Sequence, residues 1–361
     1  MEWPAVTILI LNWNGKRWLE QFLPSVLATD YPNFRVLVAD NASSDGSVAF
    51  LEEHFPTVEV LALEQNWGFA EGNNRALQTV ETPYTVLLNS DVEVAPDWLT
   101  HLVRRAEALP KAVGLQPKIR SYHQPEKFEY AGAAGGWMDR LGYAFARGRL
   151  LDELETDNGQ YDNACRVFWA TGACHFLRTA PAKAAGLFDP DYFAHYEEID
   201  YCWRMKNAGW EFWIEPAAVV YHVGGGTLPQ GSARKTYLNF RNSLYTLVKN
   251  LPAAELWWKL PLRLCLDGVA FWKELLSGKP RVAWAIVRAH WALFGSFVKM
   301  WRKRRKQQQR PMHSLRGYYP GLLIWSYFVQ GRRRFSQLVP DFSLKSSTAT
   351  NSPSSVTTEK P

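Results

Sequence analysis

Four segments in the first hundred residues share one pattern, in which a run of apolar and β-branched residues stops abruptly at a polar cluster. The runs are residues 6–11, 34–40, 58–63 and 86–89. An apolar run of this length is typical of a strand that is buried on both faces. Helix-like segments of about a dozen residues separate the runs, which predicts parallel βαβ units with right-handed crossovers. The pattern therefore predicts an α/β fold with a mostly parallel sheet flanked by helices.

The polar clusters that end these runs are expected at one edge of the sheet, because the carboxyl ends of parallel strands lie on the same side. Open α/β sheets bind their ligands at this edge. Asp40 ends the second run, and Asp91 follows the fourth run in the segment Asn89-Ser90-Asp91. Position alone leaves two roles open for Asp40, a ligand contact or the cap of the next helix. The sequence has no G-x-G-x-x-G or Walker A pattern, which argues against a dinucleotide or P-loop enzyme.

A second polar cluster contains Glu197, Glu198, Asp200 and Arg204. On a helix, Glu197, Asp200 and Arg204 share one face, and Glu198 is turned about 100° from Glu197. Three carboxylates this close repel one another, so a helix N-terminus or a nearby cation is needed to hold them. Two interpretations follow, a catalytic acidic group or an acidic first turn that stabilises the helix dipole.

His222 is a third candidate, because it directly precedes residues 223–227, which contain three consecutive glycines. Consecutive glycines let backbone N–H groups approach a phosphate. A lone histidine is also often a structural residue, and the sequence leaves both interpretations open. Residues 120–165 are rich in glycine, tyrosine and charge, which indicates an irregular lid or binding loop on the acceptor side of a site.

Composition narrows the class of protein. The 361 residues are 47% hydrophobic, enough for a large core and roughly two domains. The formal net charge of +6 is small and concentrates in residues 299–310, and we expect no nucleic-acid partner. The four cysteines show no C-x-x-C spacing, so a reducing cytosol is expected. Neither a signal peptide nor an apolar run of the ~18–20 residues needed to span a bilayer is recognised.

The carboxyl-terminal third is rich in tryptophan, leucine and arginine. Residues 256–276 and 281–302 predict two amphipathic helices whose charged residues are confined to one arc. Such helices can lie in a membrane interface with tryptophans at headgroup level and basic residues facing anionic lipid, which is the interpretation we favour. The same pattern also describes helices that pack on the catalytic domain or on a second subunit. Residues 343–361 are rich in Ser, Thr and Pro and predict a disordered tail.

Six blocks of this sequence, in the family's order, resemble the inverting glycosyltransferases of family 2, and are most similar to their rhamnosyltransferase-like branch. The blocks are residues 6–15, 38–46, 66–74, 87–91, 186–204 and 220–227. The resemblance implies a GT-A catalytic domain at residues 1–245, with a nucleotide-binding half at 1–119 and an acceptor and catalytic half at 120–245. Residues 246–335 would then form a helical appendage.

The resemblance also implies roles for single residues. Asn89-Ser90-Asp91 occupies the D-x-D position, so Asp91 would bind the Mg²⁺ or Mn²⁺ that bridges the donor diphosphate, and His222 matches a histidine that helps to hold the metal or diphosphate in some members. Asn89 replaces the first Asp, and its amide oxygen can ligate a hard cation without adding charge.

The acidic cluster occupies the family's Glu-Asp-x-Asp block, whose second acidic residue is the general base. Here that residue is Glu198, with Glu197 as the other candidate and Asp200 in the same block. Donor-nucleotide contacts are implied for the remaining matching residues, namely Asn12, Asp40, Asn41, Asn66, Gly68, Phe69, Asn73, Asn74, Asn89, Ser90 and Arg204.

The function implied by this resemblance is sugar transfer from dTDP-rhamnose or a UDP-sugar to a glycan or polyprenyl-linked glycan acceptor in bacterial cell-surface polysaccharide synthesis. We expect a cytoplasmic enzyme that is peripheral on the inner face of the cell membrane. One alternative, motivated by Asn89, is an inactive GT-A-like carbohydrate-binding protein at the membrane. Another is a GT-A-like nucleotidyltransferase, which would need a basic, glycine-rich amino-terminal signature that this sequence lacks.

Overall fold

The computed structural model describes residues 3–224 and 231–340. The strands are β1 (Val6–Asn12), β2 (Phe34–Asp40), β3 (Glu59–Ala62), β4 (Tyr84–Asn89), β5 (Val92–Val94), β6 (Ala112–Ser121), β7 (Gly136–Asp139), β8 (Ala144–Ala146), β9 (Arg149–Leu150), β10 (Glu153–Leu154), β11 (Cys165–Arg166), β12 (Cys174–Arg178), β13 (Glu211–His222) and β14 (Tyr318–Tyr319). The helices are α1 (Lys16–Leu27), α2 (Ser47–His54), α3 (Gly68–Gln78), α4 (Trp98–Ala108), α5 (Thr179–Ala184), α6 (Glu197–Asn207), α7 (Ala233–Asn250), α8 (Ala253–Leu276), α9 (Pro280–Arg304), α10 (Leu323–Phe328) and α11 (Phe335–Leu338). Most of the glycine-rich segment after His222 and the predicted disordered tail at 343–361 lie outside the described residues.

The predicted α/β fold, with a mostly parallel sheet flanked by helices, is confirmed. Strands β3, β2, β1 and β4 are parallel neighbours in that order. Antiparallel β12 pairs with β4, and β6, β13 and β11 continue the sheet beyond it. In β1, Val6, Ile8 and Leu9 are fully buried, as expected for a strand covered on both faces. The register pairs Asn12 with Asp40, which brings the polar strand ends to one edge.

Residues 120–165 do not form the irregular loop that the sequence suggested. They contribute β7 to β10, which form a small second sheet with β14 from the carboxyl-terminal region. Phe128, Phe145 and Arg147 are fully buried there, so this part of the chain is a packed layer. Strands of two to four residues are too short to give an alternating pattern. The assignment of this region to the acceptor stays a prediction.

Pro216 interrupts the apolar pattern of residues 210–222, which by itself favours two short strands. The structure has one strand, β13, whose register with β6 shifts between Glu215 and Val219. Pro216 lies within the shifted stretch, and proline in a central strand requires such an irregularity because it has no N–H to donate.

Helix α8 places charged residues against the protein and apolar residues outside, whereas α9 buries part of its apolar surface and exposes the rest. In α8, Lys259, Arg263 and Asp267 are buried, whereas Trp257 is 67% and Trp272 is 59% exposed. In α9, the buried side includes Ile286 and Leu293, and the exposed side carries Trp284, Trp291 and Phe294. Within the ranges that the structure describes, no helix combines the length and apolar content needed to cross a bilayer.

A buried lysine connects the two halves of the chain. Lys249 of α7 is 1% exposed, and its Nζ lies 2.6 Å from Asp189 Oδ2 and 2.7 Å from Asp200 Oδ2 of α6. Lys303 of α9 also contacts Asp189. The boundary expected between residues 245 and 246 falls inside α7, and this ion cluster joins α7 and α9 to α6 and the segment before it.

We expect Lys249→Met to lower the free energy of unfolding by about 3–5 kcal/mol at pH 7, because it leaves two buried carboxylates without their cation. Denaturant titration would measure the loss. Lys299→Met is the matched control, since the Lys299 side chain is 60% exposed, and it should cost about 1 kcal/mol or less.

The pH dependence gives the second test of this ion cluster. Burial alone would raise the pKa of Asp189 and of Asp200, but the facing cations lower both. The stabilisation is therefore complete above about pH 4 and is lost as the pH falls through the lowered values. A stability difference between wild type and Lys249→Met that stayed constant down to pH 2 would contradict this account.

Candidate active site

The carboxyl edge of β1 and β2 holds a connected group of polar side chains. Asn12 Nδ2 donates to Asp40 Oδ2 at 2.9 Å, and the backbone N–H of Ser43 donates to Asp40 Oδ1 at 2.8 Å. Asn12 Oδ1 is buried and has no hydrogen-bond partner. A Cβ on Gly15 would lie 2.4 Å from Asn12 Oδ1, so the chain passes this edge only with a glycine. Asp40 thus has a turn-stabilising contact, and its oxygens can accept a further bond from a ligand.

The next part of the edge is the segment that opens α3. Asn41 Nδ2 donates to Asn66 Oδ1 and to the carbonyl of Gly68, both at 3.1 Å. Gly68 has φ +73°, and a Cβ there would lie 2.6 Å from the ring of Phe193. The backbone N–H of Phe69 donates to the carbonyl of Phe193 at 2.9 Å. The structure therefore brings Asn12, Asp40, Asn41, Asn66 and Gly68 together and connects them to the loop before α6.

Two asparagines of this segment have structural contacts. Asn73 is 2% exposed, and its Nδ2 donates to the carbonyl of Phe69 one turn earlier in α3. Asn74 uses both amide atoms on the backbone of Phe188, at 2.8 and 3.0 Å. Because these bonds occupy them inside the protein, we do not include Asn73 and Asn74 in the proposed donor site.

Asp91 lies immediately after β4 and contacts His222, the last residue of β13. His222 Nε2 is 3.2 Å from Asp91 Oδ1, and His222 Nδ1 is 3.2 Å from Glu129 Oε2. The backbone also joins them, because the N–H of Val223 donates to the carbonyl of Asp91. The expected pairing of Asp91 with His222 is present, and Glu129 is a third member that sequence reasoning missed. Nothing in the pattern around Glu129 distinguishes it, since only the fold brings it to β13.

The electrostatics of this group are strongly coupled. Burial by itself would lower the pKa of His222, but the carboxylates of Glu129 and Asp91 more than offset burial and raise it to about 10. Burial would raise the pKa of Asp91, and the His222 cation lowers it. In the absence of a metal, the imidazole is therefore a cation between two carboxylates.

The side chains around Asp91 suit a divalent cation only if a bound ligand supplies further oxygen donors. In the part of the chain that is described, no three His, Cys, Asp or Glu side chains are arranged to hold a metal. Asp91 and His222 supply two donors, and the partly exposed Asn89 can add an amide oxygen. Mg²⁺ sites commonly use one or two carboxylates together with substrate phosphates, so this set suits a cation that arrives with a diphosphate.

The loop before α6 has an unusual backbone. Phe193, His195 and Tyr196 have φ values of 63°, 68° and 69°, a region that non-glycine residues rarely adopt. Asn242 of α7 holds the loop, because its Nδ2 donates to the carbonyls of Ala194 at 2.9 Å and His195 at 2.6 Å. Strained backbone of this kind is common at active sites, where surrounding contacts maintain it. Here the strained loop fixes the direction of the first turn of α6.

Each carboxyl of the acidic pair in that turn has one buried oxygen, Glu197 Oε2 or Glu198 Oε2, without a hydrogen-bond partner among the described residues. Glu197 is 4% exposed, whereas Glu198 is partly exposed. Burial raises the pKa of Glu198 to about 7. Burial and the neighbouring Glu198 carboxylate raise the pKa of Glu197 well above its ordinary value. Accessibility favours Glu198 over Glu197 as the group that reaches a substrate.

Asp200 and Arg204 belong to the structural ion cluster. Asp200 is fully buried and accepts bonds from Lys249, Arg204 and Asn250. Arg204 donates from Nε to Asp200 at 2.9 Å and from its other nitrogens to the carbonyls of Ala185 and Leu187. Because these contacts occupy both side chains inside the protein, we do not include Asp200 and Arg204 in the proposed catalytic and donor-binding residues, and their expected roles stay predictions. The contacts position α6.

One segment, residues 170–173, connects the end of β4 to α6. The N–H of Asn89 donates to the carbonyl of Ala173 at 3.0 Å, and the N–H of Ala170 contacts Cys202 Sγ of α6 at 3.4 Å. The polar edge of the sheet is therefore joined to the helix that carries Glu197 and Glu198 in its first turn.

Comparison with known proteins shows what this chain is similar to. Residues 7–161, less than half of the chain, match the model for glycosyl transferase family 2. The match includes Asp40 and Asp91 and ends before Glu198. N-acetylglucosaminyl-diphospho-decaprenol L-rhamnosyltransferase of Mycobacterium tuberculosis is 27% identical over 283 residues, which are 73% of this chain and 90% of that protein. The predicted resemblance to the rhamnosyltransferase-like branch is confirmed.

Solved structures support the fold. The crystal structure of GalNAc-T7 with UDP, GalNAc and Mn²⁺ has a TM-score of 0.56 at 15% identity, and the likeness covers 70% of this chain. This chain spans about half of that protein, 49% of its length. The structure of S. aureus TarS 1-349 with UDP-GlcNAc has a TM-score of 0.52 at 16% identity and covers 84% of this chain and 90% of TarS 1-349. At these identities the likeness shows the GT-A fold alone.

The raised pKa of Glu198 predicts that this residue lowers stability as the pH rises. A carboxyl with a folded value of about 7 binds its proton more tightly in the folded state, so stability falls between about pH 4.5 and 7. We expect Glu198→Gln to be about 1–3 kcal/mol more stable than wild type at pH 8 and to differ little at pH 4.5.

Thermal or denaturant unfolding at the two pH values would measure this effect. Glu20→Gln is the control, because Glu20 is an exposed residue of α1, and it should give no pH-dependent difference. A Glu198→Gln protein that is less stable than wild type at pH 8 would mean that the carboxylate is stabilised in the folded state.

Proposed function

We propose that this chain is an inverting, metal-dependent glycosyltransferase that transfers a sugar from a nucleotide-sugar donor to a lipid-linked glycan. The observation that carries the proposal is the partly exposed Glu198, whose carboxyl has a raised pKa and one oxygen without a hydrogen-bond partner among the described residues. A base with a pKa near 7 is well suited to take a proton from a sugar hydroxyl at neutral pH. The named activity of the mycobacterial relative supports dTDP-rhamnose as donor, and the UDP ligands of the structural neighbours support a UDP-sugar.

Different residues are proposed to bind the nucleoside and the diphosphate of the donor. Asp40, Asn41 and Asn66 contact the nucleoside at the edge of β2, with Asn12, Gly68, Phe69 and Ser90 lining the same edge. Asp91 and His222, with Asn89, hold Mg²⁺ or Mn²⁺ together with the donor diphosphate, and Glu129 orients His222 through Nδ1. The cation supplies positive charge that stabilises the leaving diphosphate.

Glu198 accepts the proton of the acceptor hydroxyl on the face of the sugar opposite the leaving group. A single displacement from that face inverts the anomeric centre and needs no enzyme nucleophile. Burial is the main cause of the high proton affinity of Glu198 and of its neighbour Glu197. The strained loop and the Asp200 cluster fix the direction of the first turn of α6, so that the base is placed before substrate binds.

A panel of nucleotide sugars with Mg²⁺ or Mn²⁺, scored for nucleoside diphosphate release, tests this proposal. We expect one donor to be turned over, with loss of release on chelation. Glu198→Gln should lower kcat about 10²–10⁴-fold with unchanged donor affinity, and Glu20→Gln should leave kcat unchanged.

The alternatives predict different results in the same assay. A nucleotidyltransferase would consume a nucleoside triphosphate and release pyrophosphate, and an inactive carbohydrate-binding protein would bind the donor without turnover. Near-normal transfer by a folded Glu198→Gln protein would contradict the assignment of the base.

We also propose that the exposed side of α8 and α9 contacts an anionic bilayer on the cytoplasmic face of the membrane, where a polyprenyl-linked acceptor would be presented. In α8, Trp257, Val269 and Trp272 are each more than half exposed. In α9, Arg288 and Arg302 are exposed on the same side as Trp291, so apolar and cationic groups face outward together. Interfacial helices combine these two features.

Flotation with phosphatidylglycerol vesicles tests the membrane contact. Wild type should float, and Trp272→Glu combined with Trp291→Glu should abolish flotation without lowering the melting temperature, because both side chains are 59% or more exposed. Trp13→Glu, which changes a 45% exposed tryptophan near β1, is the control and should float like wild type. Equal flotation of the double variant would refute the proposed surface.

A further inference from the structure

A second cleft lies between the loop before α6 and helices α7 and α9. Its lining includes four arginines, Arg234, Arg241, Arg281 and Arg288. The apolar part of the wall includes Phe193, Tyr237 and Trp284. The cleft therefore combines several cations with aromatic surface, and it is distinct from the Asp91 edge, where the donor diphosphate is proposed to bind.

None of the four arginines has a carboxylate partner in the part of the chain that the structure describes. Within residues 3–224 and 231–340, the ion pairs of α7 and α9 are made by Lys249, His290, Lys299 and Lys303. Arg234 and Arg288 lie over aromatic rings, 5.4 Å from the centre of Phe193 and 5.1 Å from that of Tyr237. These ring contacts orient the guanidinium groups without neutralising their charge.

Arg241 has a different role from the other three. Its NH2 group donates to the carbonyls of Asp191 at 3.0 Å and Tyr192 at 2.9 Å, so it holds the segment before α6. Converging cations repel one another, and an anion with several oxygens would relieve that repulsion. Guanidinium groups bind phosphate oxygens with paired, charge-assisted hydrogen bonds, and Arg234, Arg281 and Arg288 are available for this.

The position of the cleft indicates which phosphate it would bind. Phe193, on one wall, lies four residues before the acidic pair, and its carbonyl accepts the N–H of Phe69 from the donor edge. Trp284, on another wall, is 59% exposed on the side of α9 that we propose to contact the bilayer. The cleft thus extends from the neighbourhood of the proposed base towards the proposed membrane surface.

We propose that this cleft binds the diphosphate that joins the acceptor glycan to its polyprenyl chain. This inference rests on the proposed function, because it requires a lipid-linked acceptor. Arg234, Arg281 and Arg288 neutralise the diphosphate. Tyr237 and Trp284 contact the first isoprene units, and the glycan extends towards Glu198. The arginines are then specificity residues that select a diphosphate-linked acceptor.

Calorimetric titration with farnesyl diphosphate tests the site without turnover. UDP and Mn²⁺ are kept saturating, so that the diphosphate of the probe does not occupy the donor site. We expect Arg234→Ala combined with Arg288→Ala to weaken binding about tenfold or more. Arg104→Ala is the matched control, because Arg104 is an exposed arginine of α4 beside Trp3, and it should bind like wild type.

Two further titrations separate the sources of phosphate. Farnesol should bind wild type and the double variant equally weakly, and inorganic phosphate should bind far more weakly than farnesyl diphosphate. Unchanged affinity of the double variant for farnesyl diphosphate overturns the proposal. A loss confined to phosphatidylglycerol vesicles also overturns it, because the arginines would then contact lipid headgroups.

The binding result is independent of catalysis. Tenfold weaker farnesyl diphosphate binding by the double variant, in a protein that releases no nucleoside diphosphate from any donor, would support the cleft and count against the proposed function. Sugar transfer to a soluble glycan with wild-type kinetics in the double variant, together with a raised KM for a prenyl diphosphate acceptor, would support both.

Discussion

The buried ammonium of Lys249 is the contact on which the arrangement of the site depends. It lies between Asp189 and Asp200 at 2.6 and 2.7 Å, and it is the only cation on α7 that the described structure places against α6. Without it, the two carboxylates would repel each other and α6 would lose its anchor. Because α6 carries Glu198 in its first turn, the direction of the proposed base is set by a lysine 51 residues later in the chain.

A separate set of buried polar contacts explains the inverted surface of α8. Lys259, Arg263 and Asp267 of α8 turn inward, where Arg263 lies 3.8 Å from the centre of the Tyr143 ring and donates to Ser243 Oγ at 3.2 Å. Because the charged side of α8 packs on the protein, its apolar side faces outward. The exposed tryptophans on α8 therefore follow from the way in which the helix is attached, and polar packing produces the surface that we propose to contact lipid.

The sequence was sufficient for the features that depend on local pattern. The apolar runs predicted β1, β2 and β4 within a residue or two, and strand ends predicted the edge that holds Asp40 and Asp91. It was insufficient where distant segments meet. The small sheet needs β14 from the far end of the chain, and Glu129 reaches His222 only because β13 pairs with β6. Helix geometry predicted that Glu197 and Asp200 share one face of a helix. It could not predict which side chains from other segments contact each carboxyl.

The contrast between Glu198 and Asp200 shows that the charged groups around a carboxyl determine its protonation, and that its place in a sequence motif does not. The two carboxyls are two residues apart in the first turn of α6. Burial alone would raise the pKa of each. Lys249 and Arg204 reverse this effect for Asp200, whereas no cation contacts Glu198 in the described structure. One carboxyl is thereby fixed as an anion that holds the helix, and its neighbour keeps a proton affinity near neutrality. When different surroundings separate the pKa values of two adjacent acids, one turn of a helix can carry both a structural anion and a group that accepts a proton near neutral pH.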